Sequence, residues 1–198
     1  MMRKLKITEM GRMNVEEFKV SEKMPLVVVL DDVRSMYNVG SVFRTADAFR
    51  VERIYLCGIT ACPPHQEIHK TALGAEDTVE WRYSQSALDV VGLLKKDGYE
   101  VFSIEQCEGS TKLQDLQDTL HAIKSEDARS PKNTSNYPKV AIVLGNEVKG
   151  VNQAVVNASD HCLEIPQFGT KHSLNVSTAA GMVIWEFAKL YLPLIQSI

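Results

Sequence analysis

Apolar and β-branched runs recur along this chain, and segments with helical spacing separate them. Six of the runs predict β-strands, at residues 26–33, 53–59, 78–83, 99–105, 139–145 and 161–166. Several runs are apolar throughout, which is typical of strands that are buried on both faces of a parallel sheet. The pattern therefore predicts an α/β fold, with a parallel sheet of about six strands and helices on both of its faces.

Three of the intervening segments predict helices, over residues 38–50, 86–98 and about 173–192. Asn38 or Ser41 is a suitable N-cap for the first helix, because both side chains accept a hydrogen bond from backbone N–H groups. Arg44 falls on the polar face of that helix. The last helix should end before Pro193, because proline has no N–H to continue it.

Two stretches depart from this alternation of strands and helices. Residues 1–24 carry more basic than acidic side chains, and they predict a weakly basic N-terminal extension with a short helix near residues 15–18. Residues 109–138 are polar and predict an insertion that is partly helical and then loop-like. The predicted organisation is an extension over residues 1–24 and one domain over residues 25–198, with the insertion at about 109–138.

Size and charge narrow the class of protein. The chain has 198 residues, of which 44% are hydrophobic, so one domain with a full-sized core is expected. Its formal net charge of −3 excludes a globally basic nucleic-acid coat protein but leaves room for a local basic patch. The apolar runs are far shorter than the ~20 residues that cross a bilayer, and no apolar stretch follows the basic N-terminus. We therefore expect a cytoplasmic protein that does not bind membranes.

The cysteines and histidines give little indication of a metal or redox site. The four cysteines contain no C-x-x-C pair, which favours reduced and mostly buried thiols. The segment CPPHQEIH brings Cys62, His65 and His69 together, a combination that zinc can use. A fourth ligand at finger spacing is lacking, and a proline-rich loop before a helix explains the same residues. We therefore expect no metal.

The turns in the last third of the chain are the best candidates for a ligand site. The glycines form neither G-x-G-x-x-G nor G-x-x-x-x-G-K-[ST], which argues against a dinucleotide-binding turn and a P-loop. Residues 142–151 and 162–181 each run from an apolar strand through a polar, glycine-containing turn towards a helix. Because α/β proteins build ligand crevices from such turns, Glu147 and Asn175 are candidate site residues.

Three segments, in order, resemble the three motifs of the SpoU (TrmH-type) RNA methyltransferases, which belong to the SPOUT superfamily. They are NVGSVFRTADAF at residues 38–49, LGNEVKGV at 144–151 and IPQFGTKHSLNVSTAAG at 165–181. KTALGAE at residues 70–76 is similar to a segment that lies between the first two motifs of the family. The resemblance spans roughly residues 26–192.

The resemblance implies a deep trefoil knot at the C-terminal end, in which the last strand and helix thread through a loop. It also implies that S-adenosylmethionine binds in the knot, mainly to backbone groups of the turns after the last two strands. Apolar Ile165 and Leu174 suit an adenine ring between them. On this sequence the positions of the cofactor site are Leu144, Gly145, Asn146, Gly150, Ile165, Gln167, Ser173 and Leu174.

The reaction implied by the resemblance is methyl transfer to a ribose 2′-hydroxyl of RNA. By likeness, Arg44 lies at that oxygen. Two roles are open for it: a general base, or an electrostatic stabiliser of the alkoxide that also holds phosphate. The other polar positions of the family's active site, which orient Arg44 and the ribose, correspond to Asn38, Glu147, Ser173 and Asn175.

The resemblance also implies a homodimer whose active site is shared between subunits. Basic residues within the N-terminal extension favour tRNA over rRNA as the substrate, because phosphate contacts add affinity without base specificity. Two alternatives keep the fold: a knotted methyltransferase of a base nitrogen, and an RNA-binding member that has lost its activity. A third is an α/β protein that binds a small molecule and no RNA. The joint presence of Asn38, Arg44, Glu147 and Asn175 argues against loss of activity.

Overall fold

The computed structural model describes residues 2–127 and 138–195. Its strands are β1 (Met24–Asp31), β2 (Val51–Cys57), β3 (Trp81–Ser84), β4 (Tyr99–Ile104), β5 (Thr111–Lys112), β6 (Lys139–Leu144) and β7 (His161–Glu164). Its helices are α1 (Val15–Val20), α2 (Met36–Ala48), α3 (Gln66–Ala72), α4 (Ala75–Thr78), α5 (Ala87–Lys96), α6 (Leu116–Asp127), α7 (Gln153–Ala158) and α8 (Val176–Ile195).

The strands form one sheet in the order β3-β2-β1-β6-β4-β7-β5, and every strand pair in it is parallel. The six predicted strands are present and the α/β fold class is confirmed. The third predicted strand starts late, at Trp81, because residues 75–78 form a helix instead. The additional strand β5 has two residues, too few for a hydrophobic pattern to predict. The knot stays a prediction from the resemblance.

Strand β1 shows why its sequence is apolar without a break. Leu26, Val28 and Leu30 pack into a core cluster with α2 and α8 on one face of the sheet. Val27 and Val29 belong to a second cluster, with α5 and α7, on the other face. All five side chains are fully buried. The sheet therefore has a helical layer on each face, and burial of both faces accounts for the unbroken hydrophobic run.

Helix α2 begins earlier than predicted, so its N-cap is neither Asn38 nor Ser41. Ser35 caps it instead, because the Ser35 hydroxyl accepts a 3.3 Å hydrogen bond from the Asn38 N–H. Asn38 lies in the first turn and is buried. The helix packs tightly on α3 at Gly40, where a Cβ atom would overlap the Ile68 carbonyl. The first predicted helix is thus confirmed, while its predicted cap is wrong.

Helix α8 is shifted from its predicted bounds at both ends. It starts at Val176, because the Asn175 side-chain oxygen accepts a 2.9 Å hydrogen bond from the Ser177 N–H and so ends the preceding turn. It continues through Pro193 to Ile195, so the predicted stop before proline is wrong. In the last turn of a helix, a missing N–H removes only one hydrogen bond, and the helix does not need to break there. In the described residues, no helix is long and apolar enough to cross a membrane.

The predicted extension and insertion both contribute to the packed structure. The short helix predicted near residues 15–18 is α1, where Asn14 and Glu17 form a capping box and Phe18 is buried in the core. The described part of the insertion contains β5 and α6, and the α6 side chains Leu116 and Leu120 are buried. Residues 128–137, which hold most of the predicted loop-like part, lie outside the described residues. The division at residues 24 and 25 stays a prediction.

Candidate active site

A cavity of about 850 Å³ lies at the carboxyl ends of β6, β4 and β7, three neighbouring strands of the sheet. Its walls are the turns after these strands together with the start of α8. Parallel sheets place ligands at this edge, because the turns there expose backbone N–H and C=O groups. All eight predicted cofactor positions line the cavity: Leu144, Gly145, Asn146, Gly150, Ile165, Gln167, Ser173 and Leu174.

The turn after β6 is closed by its own backbone. The Asn146 N–H donates to the Gly150 carbonyl at 3.0 Å, and the Gly150 N–H donates back at 2.8 Å. This pairing brings the two segments so close that a Cβ atom at Gly145 would overlap the backbone of Gly150 and Val151. The turn therefore requires glycine at residue 145, for a reason internal to the wall of the cavity.

The Asn146 side chain holds the same turn in place. Its oxygen accepts hydrogen bonds from the N–H groups of Val148 and Lys149, at 2.9 and 3.1 Å. Its amide nitrogen donates to the Asp32 carbonyl at 2.8 Å, which ties the turn to the end of β1. Both ends of this side chain are engaged, and the Asn146 backbone pairs with Gly150, so Asn146 holds the turn in its shape.

Glu105, at the end of β4, is a residue of this site that the sequence analysis missed. Its carboxylate accepts hydrogen bonds from the Val151 N–H at 3.1 Å and the Gln106 N–H at 2.9 Å. It also fills the space beside Gly150, whose backbone is left-handed with φ +69°. The signal that could have found it is its place, directly after a buried strand at the carboxyl edge of the sheet.

The turn after β7 supplies the apolar part of the cavity. Ile165 packs against the core, and Leu174 remains 36% exposed to the cavity. The turn is anchored where the Gln106 side-chain amide donates to the His172 carbonyl at 3.0 Å. Apolar side chains beside exposed backbone groups are the combination expected in a small-molecule binding site.

Asn38, Glu147 and Asn175 meet in one chain of hydrogen bonds beside the cavity. The Asn38 amide donates to Glu147 at 3.0 Å, and the Asn175 amide donates to the Asn38 side-chain oxygen at 3.0 Å. The Glu147 carboxylate also accepts from the N–H groups of Arg34 and Ser35, both at 2.9 Å. These bonds join α2, the turn after β6 and the start of α8.

The environment of Glu147 favours its charged form. Partial burial works against ionisation, but the hydrogen bonds from the N–H groups of Arg34 and Ser35 and from Asn38 outweigh it. The pKa of Glu147 is therefore held below its ordinary value. A carboxylate at the first turn of α2 also interacts favourably with the positive end of the helix dipole.

The structure does not bring the other two predicted polar residues into this chain. Ser173 lines the cavity but is exposed and makes none of these hydrogen bonds. Arg44 is exposed on α2 and does not line the cavity. Within residues 2–127 and 138–195, Arg44 makes no hydrogen bond or ion pair, so its guanidinium is free to bind an external group.

The cysteines are less buried than predicted, since only Cys57 is fully buried. Cys107 and Cys162 both line the cavity. Burial and a hydrogen bond with Cys107 raise the pKa of Cys162 to about 12, so this thiol stays protonated at neutral pH. In the described part of the chain, no cluster of three or more histidine, cysteine or carboxylate side chains could hold a metal ion.

The sheet, with this cavity at its carboxyl edge, defines a parallel α/β protein with a candidate ligand site built from turns. The sequence matches the model of the SpoU rRNA Methylase family over residues 25–185. The chain belongs to this family.

Similar proteins agree with the family match. An uncharacterized tRNA/rRNA methyltransferase of Borreliella burgdorferi is 28% identical over 175 residues, which cover 88% of this chain and 68% of the relative. A tRNA (guanosine(18)-2′-O)-methyltransferase of Thermus thermophilus is 27% identical over 179 residues, which cover 90% of this chain and 82% of that protein. A TrmH family relative of Staphylococcus saprophyticus is longer, and the match spans 61% of its length.

Solved structures show the same fold. The TrmH/SpoU tRNA modifying enzyme of A. aeolicus superposes with a TM-score of 0.73 at 21% identity, over 90% of this chain and 81% of that one. The SpoU methyltransferase AviRb of Streptomyces viridochromogenes, solved in complex with its cofactor AdoMet, gives a TM-score of 0.70 at 18% identity. That match covers 93% of this chain and 67% of AviRb.

Proposed function

We propose that this protein is an S-adenosylmethionine-dependent RNA methyltransferase that modifies a ribose 2′-hydroxyl. The observation that carries the proposal is the meeting of three distant family motifs at one place. Segments 144–151 and 165–181 line the cavity, and Asn38 of the first motif is hydrogen-bonded to both of them through Glu147 and Asn175. The Thermus relative, a tRNA (guanosine(18)-2′-O)-methyltransferase, supports the 2′-oxygen as the methyl acceptor.

The residues of the cavity fit the proposed cofactor. Ile165 and Leu174 offer apolar surface to an adenine, and the Gly145–Gly150 turn offers backbone groups at its edge. S-Adenosylmethionine carries its transferable methyl group on a positively charged sulfonium sulfur. The family match and a relative solved with AdoMet both support this assignment.

Arg44 is the residue we assign to the reacting oxygen. A guanidinium stays protonated at neutral pH, so stabilising the developing alkoxide and holding an adjacent phosphate is its simplest role. Asn38, Glu147 and Asn175 are positioning residues in this proposal, because their polar groups are satisfied by one another and by the start of α2. Ser173, exposed at the cavity, is left free to contact the ribose.

The active form that we propose is a homodimer with a shared active site. Arg44 does not line the cavity of its own chain, so within one chain the proposed site is incomplete. Helix α8 exposes the large apolar side chains Met182 and Trp185, at 42% and 44%. Helix α2 packs against α8 and exposes Tyr37, which lies two turns before Arg44 on the same face of the helix. A second copy covering these two helices would bury the apolar surface and bring its Arg44 to the cavity.

We favour tRNA over rRNA as the substrate. The proposed extension at residues 1–24 exposes Lys4, Lys6 and Arg12, while Arg3 is paired with Glu9 at 3.0 Å. Such an arm adds phosphate contacts to the domain at residues 25–198 without reading bases. We place the activity in the cytoplasm, with its RNA substrate.

One experiment tests the proposed reaction directly. The protein is incubated with methyl-labelled S-adenosylmethionine and total RNA from a strain that lacks it, and the labelled positions are mapped. A ribose methyl protects its phosphodiester from alkaline hydrolysis, so we expect the label in alkali-resistant dinucleotides of tRNA. Label in free, base-methylated nucleotides would instead favour a base-nitrogen methyltransferase, and no label in any RNA would leave a binding protein.

A further inference from the structure

Two turns at the mouth of the cavity expose apolar side chains. Phe168, in the turn after β7, is 97% exposed, and Val148, in the turn after β6, is 77% exposed. Both neighbour residues that line the cavity, and Val148 itself is among them. A phenylalanine held in solvent costs free energy unless a ligand covers it, so its place beside a functional cavity points to binding.

The same two turns carry exposed basic side chains. Lys149 follows Val148, and Lys171 with His172 follows Phe168. The side chains of Lys149 and Lys171 make no hydrogen bond or ion pair within the described residues. We call these five residues, Val148, Lys149, Phe168, Lys171 and His172, the cavity rim. The rim is cationic although the chain as a whole carries a net charge of −3.

Three of the four carboxylates that line the cavity are engaged by groups other than the rim lysines. Glu105 and Glu147 accept hydrogen bonds from backbone N–H groups, and Glu164 is paired with Lys112. Glu108 is the carboxylate of the cavity lining that remains exposed. Residues 165–175 contain no acidic side chain at all.

We propose that the cavity rim binds an unpaired nucleotide of the RNA, with a nucleobase stacked on Phe168 and neighbouring phosphates bound by Lys149 and Lys171. Aromatic side chains interleaved with cations are the arrangement by which proteins bind unpaired nucleotides. Stacking requires a base that is free of its helix, so the rim selects loops over duplex RNA. This inference rests on the proposed function and adds to it a specificity element for unpaired RNA.

A second copy of the chain fits the rim less well than RNA does. The exposed apolar residues of α2 and α8, which pack against each other, already offer apolar surface to a partner subunit. The rim, by contrast, alternates apolar and cationic side chains on two separate turns. Like charges facing each other across a two-fold axis would repel, whereas phosphates complement them.

The test measures binding of two RNA probes, a hairpin with an unpaired loop and a blunt duplex of the same stem. Phe168→Ala should weaken hairpin binding by roughly 5- to 150-fold, as expected for loss of one stacked base, and leave duplex binding unchanged. Phe168→Trp should restore hairpin binding, and its added tryptophan fluorescence should be quenched by the hairpin. Lys171→Ala should lower the slope of log affinity against log salt by about 0.7.

Controls separate this inference from folding and from the proposed function. Leu93→Ala truncates a side chain that is 46% exposed on α5, away from the cavity lining, and should leave hairpin binding unchanged. Affinity for S-adenosylmethionine, measured by calorimetry, should be equal in the wild type and in Phe168→Ala. If the wild type binds no RNA, the proposed function and this inference both fail. If the wild type binds the hairpin and Phe168→Ala binds it equally, or if Phe168→Ala changes the oligomeric state instead, only this inference fails.

Discussion

The Asn175 side-chain amide donates a 3.0 Å hydrogen bond to the side-chain oxygen of Asn38, 137 positions earlier in the chain. The Asn38 side-chain amide in turn donates a hydrogen bond to Glu147, so the three residues form a chain. Only a side chain with a donor and an acceptor at its tip can make both contacts, which explains asparagine at residue 38. The three motifs are thereby held in a fixed relation beside the cavity.

Replacing the Glu147 carboxylate should loosen the start of α2. In Glu147→Gln, an NH₂ group faces backbone N–H donors in place of an oxygen, so one donor loses its acceptor. We expect a loss of about 1–2 kcal/mol in the free energy of unfolding at pH 7, measured with urea, and a methylation rate reduced by on the order of 10-fold. Glu16→Gln, at an exposed position of α1, should change neither quantity appreciably.

The stability difference between the wild type and Glu147→Gln should depend on pH in a definite direction. The folded-state pKa of Glu147 lies below its ordinary value of 4.5, so the carboxylate stabilises the fold fully above that pH. The stabilisation is lost as the pH falls through the lowered pKa. The stability advantage of the wild type over Glu147→Gln should therefore be constant near neutral pH and shrink below about pH 4.5. An advantage that grew on acidification would contradict the assignment.

Adding one methyl group at Gly145 should damage cofactor binding. The Cβ atom of Gly145→Ala would overlap the Gly150–Val151 backbone, so the turn that walls the cavity must open. We expect the affinity for S-adenosylmethionine to fall by on the order of 10-fold or more, measured by calorimetry, with a circular dichroism spectrum like that of the wild type. Gly92→Ala, in α5 where a Cβ atom meets nothing within 4 Å, is the matched control. Equal cofactor affinity in Gly145→Ala and Gly92→Ala would contradict the assignment of this turn to the cofactor site.

The sequence was sufficient for the layers of the fold, because strands buried on both faces leave unbroken apolar runs such as β1. The sequence was insufficient where a contact with a residue far away in the chain selects one of two equally suitable N-caps. Asn38 and Ser35 are both good N-caps, and the selection of Ser35 depends on Glu147, 109 positions from Asn38, which occupies the Asn38 amide. Local pattern carries no information about that contact.

The candidate site was predictable as far as the motifs reach. All eight cofactor positions came from the resemblance, and they line one cavity. Glu105 lies outside the motifs, and its place after a buried strand is a signal that it shares with every residue at the end of such a strand. Its importance comes from the neighbouring turn, whose N–H group at Val151 needs an acceptor.

A charge in the middle of the exposed face of α8 should prevent dimer formation. Met182→Glu would place a carboxylate in the apolar surface that we assign to the partner subunit. We expect the dimer dissociation constant to rise by on the order of 10-fold or more, measured by sedimentation at several concentrations. Leu88→Glu is a matched control, since Leu88 and Met182 are both 42% exposed and Leu88 lies on α5, across the sheet. Equal dimer dissociation constants in the two variants would show that α8 is not part of the interface.

Removing the Arg44 guanidinium should affect the reaction more than cofactor binding. Arg44 lies outside the lining of the cavity, so Arg44→Ala should keep its affinity for S-adenosylmethionine while its methylation rate falls by about 10²-fold or more. Arg44→Lys keeps the charge but not the planar fork, so a rate between those of Arg44→Ala and the wild type is expected. Arg82→Ala, which removes an exposed arginine of β3, should react like the wild type. A methylation rate near that of the wild type in Arg44→Ala would show that Arg44 is an ordinary surface residue.

Mixing two impaired variants, at a concentration of S-adenosylmethionine too low for Gly145→Ala to bind it, tests whether Arg44 acts on the cavity of its partner. An Arg44→Ala chain has an intact cavity, and a Gly145→Ala chain has an intact Arg44. In a mixed dimer with shared sites, one of the two sites combines both intact parts. Since random exchange makes half of the dimers mixed, the mixture should recover about a quarter of the wild-type activity. If Arg44 serves the cavity of its own chain, neither site of the mixed dimer is intact. The mixture then stays as inactive as its components, and the shared site is excluded.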